Sequence, residues 1–171
     1  GVDPAAPTTT IPPRAQPVRL AATGVGPLLG SVIVVDPGHN GLNARYVDVG
    51  RPGDVSPDGP RCNTVGASTA AGLDEMTINW EVGTRLATTL RSLGAEVILT
   101  HGDLEGFGPC ADERGAIARD AQATALVSIH ADGAPGGDSG FHVIHPALHP
   151  GLNPDRVGQS NRLAALVRDE L

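Results

Sequence analysis

Apolar positions along the chain follow two periods. Val32-Ile33-Val34-Val35 is an unbroken β-branched run, and Ala125 to Ile129 is a second apolar run that stops at a histidine. Runs of this length without alternation read as strands buried on both faces, the interior of a parallel sheet. Strands are expected over 31–36, 95–100 and 125–130. Between the first two, Ile78, Val82, Leu86, Leu90 and Leu93 recur at helical spacing behind Asp74, a capping residue type, until Gly94 ends the pattern. A shorter helix is expected from Asp112 to about Ala123, with Ile117 and the alanines inward. After a Gly-rich turn, 140–145 reads as a fourth strand and Ser160 to Leu171 as a helix with Leu163, Leu166, Val167 and Leu171 inward.

The order β-α-β-α-β predicts an α/β fold, a single domain built on a mostly parallel sheet with helices on both faces. Residues 1–27, rich in Pro, Ala and Thr, read as a linker or a strap over the surface; the α/β domain is expected over 28–171. Residues 40–72 run through repeated Gly and Pro with no sustained period, a connection much longer than usual in such folds. The last helical pattern runs to Leu171 without a Gly or Pro stop, so the domain is expected to be C-terminally incomplete.

Composition narrows the partners. Twelve basic against 19 acidic residues give a formal charge of -7, with no basic run, which argues against nucleic acid and anionic membrane surfaces. With Trp80, Tyr46, Phe107 and Phe141 as the aromatic residues, the core must be aliphatic. No apolar run approaches the ~20 residues of a membrane span. Cys62 and Cys110 lie in Gly/Pro-rich loops. They could be free thiols, metal ligands or a disulfide; an even count without CxxC spacing favours the disulfide and an exported protein.

Ligands of open α/β sheets collect beyond the carboxyl ends of the strands. His39 follows the first strand there and His130 the third, with Asp74 and Glu75 at the start of the long helix between them. Two imidazoles and one carboxylate are the ligand set of a catalytic zinc that keeps a position open for water. His142, His145 and His149 are also closely spaced, but alternation puts His142 and His145 on opposite faces of the expected fourth strand, which argues against a second site.

Three segments carry a family resemblance: Val34-Val35-Asp36-Pro37-Gly38-His39-Asn40-Gly41, then Glu75-Met76-Thr77-Ile78-Asn79-Trp80-Glu81-Val82, then Ser128-Ile129-His130-Ala131-Asp132. In this order they resemble the zinc-dependent N-acetylmuramoyl-L-alanine amidases of bacterial cell walls, over about Val32 to Leu171. The resemblance implies Zn2+ on His39, Glu75 and His130 at the C-terminal edge of the strands. Glu81, almost two turns into the helix, is the weaker carboxylate and reads as a surface charge. Arg114 resembles the arginine of the family's second helix and is a candidate substrate contact. Asp36 is placed either to orient a ligand histidine or to cap the turn. The 40–72 connection leads to Glu75 and is expected to wall or cover the zinc.

The family carries a general-base glutamate in a later helix-and-strand segment, and no segment here resembles it; Glu170 is not that residue. No catalytic residue is therefore assigned. The implied activity is zinc-dependent hydrolysis of the amide between N-acetylmuramic acid and L-alanine, by an exported monomer acting on peptidoglycan or muropeptides. The alternatives are a zinc carboxypeptidase-like peptidase and a catalytically silent peptidoglycan-binding module.

Overall fold

In the computed structural model of the chain, the described residues are 14–43, 62, 64–134, 136, 138–151 and 153–171. They fall into two compact units, Gly1–Gly133 and Ala134–Leu171, each taken by itself below.

The first unit is organised around β2 (Val32–Pro37), which pairs in parallel with both β3 (Glu96–Leu99) and β4 (Ala125–Ile129). Alternation along β2 serves two cores. Ile33 and Val35 join Val97, Leu99 and Ala87 on one face, where Trp80, Leu86 and Leu90 of α1 (Glu75–Ser92) pack. Val34 joins Ile98 and Ala123 on the other, beneath Ile117 and Ala118 of α2 (Ala111–Asp120). The α/β architecture with helices on both faces of a mostly parallel sheet is thus present.

The sheet has a member that the hydrophobic pattern did not announce. β1 (Val18–Leu20) runs antiparallel beside β3, giving the order β1-β3-β2-β4. Three residues in a Pro-rich stretch carry almost no local strand signal; their pairing with β3 makes them a strand.

α1 departs from its expected face. Its buried stripe is Glu75, Asn79, Gly83 and Ala87, one residue per helical turn, while Val82 is 46% exposed and Leu93 is also exposed. Small residues let the helix lie close to β2: a Cβ on Gly83 would come within 2.8 Å of Pro37. The large apolar residues then cover the flanks of that contact. Asp74 is the N-cap residue, yet its side chain makes no cap bond and accepts the Ser68 hydroxyl instead. α2 begins with Cys110 as N-cap and Glu113 returning to the Cys110 N–H.

In the second unit, the strand expected over 140–145 is absent. Among the described residues, 140–149 join no strand of the sheet, and a short apolar alternation without a neighbouring strand has no ladder for its backbone groups. α3 (Pro154–Glu170) starts six residues earlier than Ser160. Asn153 caps it by accepting the Asp155 N–H at 2.9 Å, and Pro154 occupies the first turn, where its missing N–H costs nothing. Leu163, Leu166, Val167 and Leu171, expected inward, are exposed, while Ala164 is buried.

Candidate metal centre

β2 delivers His39 through the tight turn Asp36-Pro37-Gly38. β4 delivers His130 just past its last residue, and α1 delivers Glu75 as its first. These three bring one ligand atom each to within 4.8 Å of one another, and among the described residues no other trio of His, Cys, Asp or Glu converges in this way. Glu75 Oε1 is the meeting point, 3.1 Å from His39 Nε2 and 2.9 Å from His130 Nδ1. The two imidazoles meet edge to face with centroids 4.8 Å apart.

The bonding around the trio favours a cation between them. His39 Nδ1 lies 2.9 Å from the Thr64 carbonyl oxygen, which can only accept, so the ring proton belongs on Nδ1. Nε2 of the neutral ring then turns a lone pair toward a carboxylate oxygen. Two acceptors facing each other are mismatched unless a metal ion, or a second ring proton, lies between them. Glu75 is held ionised. Burial opposes its charge, but hydrogen bonds from the Ala67 and Ala131 N–H groups and from His130, with a smaller electrostatic contribution from the His39 side, outweigh it and bring its pKa down to about 2.

Close approach of backbone builds the rest. A Cβ on Gly38 would stand 2.3 Å from the His130 ring, and one on Gly66 2.8 Å from His39 and 3.0 Å from Glu75. Gly66 also has φ +87°, a conformation that glycine adopts at no steric cost. His39 itself takes φ 67°, which for a residue with a side chain costs roughly 1–3 kcal/mol and persists only where its surroundings enforce it.

Of the other residues singled out from sequence, Asp36 makes no bond to a histidine ring. It accepts from Thr100, Ser128 and Arg114 at 2.7, 2.7 and 2.6 Å; burial raises its pKa, but the Arg114 charge and these bonds prevail and hold it below the usual carboxylate range. Arg114 is buried against backbone carbonyls. Both line a cavity of about 270 Å³ with Gly38, His39, Ser128 and His130. Glu81 is exposed and paired with Arg85. Cys62 and Cys110 form a disulfide. The expected cover over 40–72 falls mostly on residues 44–61 and 63, outside the described residues; of the remainder, Thr64 and Ala67 touch the trio. In the second unit, His145 and His149 face the carbonyls of Pro146 and Pro150, and Glu170 is exposed on α3.

A family model described as N-acetylmuramoyl-L-alanine amidase matches residues 33–171. The chain belongs to this amidase family. It is 40% identical over 148 residues to N-acetylmuramoyl-L-alanine amidase Rv3717 of Mycobacterium tuberculosis, covering 84% of this chain and 58% of that protein. Among solved structures, it resembles Ami1, an N-acetylmuramyl-L-alanine amidase of Mycobacterium smegmatis, with a TM-score of 0.72 and 34% identity over 83% of this chain and 64% of that one. The apo form of Ami1 from Mycobacterium abscessus gives 0.70 and 36%, over 82% and 65%. The chain therefore spans about three fifths of the length of these relatives.

Sequence reasoning passed over several residues that shape this amidase-family site. Asn79, fully buried, donates to the Gly38 carbonyl at 3.2 Å and to Glu75 at 3.4 Å. Its place one turn after Glu75 was the available signal, since residues four apart share a helix face. His101, also fully buried, has its two ring nitrogens 2.8 Å from the Asp103 carbonyl oxygen and 2.9 Å from that of Pro37, acceptors to which a ring N–H donates, and it stacks on Trp80. No local pattern marks a histidine whose partners are backbone oxygens distant in sequence.

Proposed function

We propose that the chain hydrolyses the amide joining N-acetylmuramic acid to L-alanine in peptidoglycan, with Zn2+ held by His39, Glu75 and His130. The observation that carries this reading is the meeting of two imidazole nitrogens on one carboxylate oxygen, at 3.1 and 2.9 Å, in a chain of this family. The donor set fits zinc: two neutral nitrogens and one ionised oxygen, with room for a further position. Bound zinc supplies Lewis acidity, polarising a carbonyl and making water a competent nucleophile near neutral pH.

The protein's own residues bind and orient. Thr64 fixes the tautomer of His39, the Ala67 and Ala131 N–H groups aim the Glu75 carboxylate, and Gly38 leaves space for the His130 ring. His130, with its side chain 43% exposed against 6% for His39 and 2% for Glu75, marks the side from which substrate reaches the centre. An extracytoplasmic location belongs to the same proposal, because the Cys62–Cys110 disulfide persists in oxidising compartments and the substrate is a wall polymer.

Mass spectrometry of the products from purified muropeptide, with and without a chelator, tests the proposal. Expected is a muramic acid with a free lactyl carboxylate and a peptide with a free L-alanine amine, both lost with the chelator. Cleavage inside the peptide would identify a peptidase instead, and binding without product a silent binding module.

A further inference from the structure

We propose that Arg114 is a positioning residue for the metal-binding turn, acting on His39 through its backbone. The inference rests on the reading of His39 as a metal ligand. Arg114 is 4% exposed. Four of the five guanidinium N–H donors are committed to protein acceptors: Nε to the Pro109 carbonyl at 3.0 Å, Nη1 to Asp36 at 2.6 Å and the Pro37 carbonyl at 2.9 Å, and Nη2 to the His39 carbonyl at 2.8 Å.

The carbonyls of Pro37 and His39 flank Gly38, so one rigid fork grips the turn on both sides of the point where the chain leaves the sheet. The fork is itself anchored. Asp36 accepts from Ser128 of β4 and from Thr100, the residue after β3, which ties the guanidinium to the ends of three neighbouring strands. At the far end of this chain of bonds stands His39 at φ 67°, a conformation that needs external enforcement. The clamp sets where the His39 ring emerges relative to Glu75 and His130. A planar five-donor fork does this, whereas a lysine ammonium in the same place keeps the charge and cannot span the four acceptors.

The test measures zinc affinity by chelator competition in wild type, Arg114→Lys, His39→Ala and the double variant Asp36→Asn with Arg114→Leu. The double variant removes both charges together, so neither is left buried without its partner. Arg114→Lys is expected to fold, as judged by circular dichroism, and to bind zinc roughly 10–100-fold more weakly, the range for outer partners of metal ligands. The visible bands of its Co2+ form should shift, since they report ligand geometry. The double variant should show the same loss. Wild-type zinc affinity and an unchanged Co2+ spectrum in Arg114→Lys would overturn the inference; if that variant does not fold, the double variant decides by the same criterion. Failure of the underlying reading looks different. Wild type would then bind no zinc, or His39→Ala would bind it as well as wild type, and the inference falls with the reading.

Discussion

Gly38→Ala separates the metal centre from the fold more sharply than removal of a ligand does. An alanine Cβ at this position would lie 2.3 Å from Cε1, 2.5 Å from Nε2 and 2.7 Å from Nδ1 of His130. Carbon contacts settle at about 3.5–4.0 Å, so the ring must retreat by roughly 1 Å or more. It has somewhere to go, because the His130 side chain is 43% exposed. The overpacking penalty, ~1–3 kcal/mol in a closed core, should therefore stay near its lower end. Restriction of the unfolded chain by alanine returns ~0.4–1 kcal/mol, so the net loss of stability should be about 1 kcal/mol or less. The proposed ligand set cannot absorb the same shift. A misplacement of ~1 Å at a reacting centre costs on the order of 100-fold, and zinc affinity should fall by a comparable factor. Urea denaturation and chelator competition on the same preparation give both numbers. Unchanged zinc affinity in a folded Gly38→Ala protein would refute the reasoning, because it would mean that the His130 ring is not held against Gly38 in the metal-bound state.

The disulfide closes a sequence separation of 48 residues, for which the chain-entropy estimate is ~4 kcal/mol; the Cys62→Ala, Cys110→Ala double variant should lose stability of that order in urea, and a loss below ~1 kcal/mol would contradict it. Acid should destabilise the protein in two windows. His101 has its pKa lowered from 6.5, by burial first, with the Pro37 carbonyl opposing, so the unfolded state binds more protons and the stability present above pH 6.5 is lost as pH falls below it. Glu75 and Asp36 are lowered from 4.5, to about 2, and from 3.8, so their contributions are complete above those ordinary values and are lost on further acidification. Melting temperatures across this range should fall with pH, and His101→Gln should flatten the upper step; a rise on acidification would be the contrary result.

Much of the fold was legible because two periodicities carried it. The β-branched run at 32–35 is the central strand, and the helix from Glu75 to Ser92 ends before Gly94 as its pattern required. What escaped was decided by tertiary contact. β1 exists because β3 offers it an edge, whereas 140–145, with a better apolar alternation, pairs with no strand among the described residues and forms none. The face of α1 was misplaced because the contact with β2 selects small residues, so the stripe Glu75, Asn79, Gly83, Ala87 lies inside while Val82 lies outside. α3 did carry a local signal, Asn153-Pro154-Asp155, outside the apolar repeat that set its expected start. At the site, His39 and His130 stood out at the ends of strands and Asp74 and Glu75 at the start of a helix, and the family resemblance singled out Glu75 from that pair. The support did not: Asn79, His101 and the carbonyls gripped by Arg114 act through partners that only the folded backbone brings near.

Zinc content by atomic spectroscopy after exhaustive exchange, in wild type, His39→Ala, Glu75→Gln, His130→Ala and His149→Ala, tests the assignment of the metal centre most directly. The three atoms that meet at one point predict stoichiometric zinc in wild type and His149→Ala, and a sharp loss in each of the other three. Equal zinc in wild type and His130→Ala would contradict the assignment.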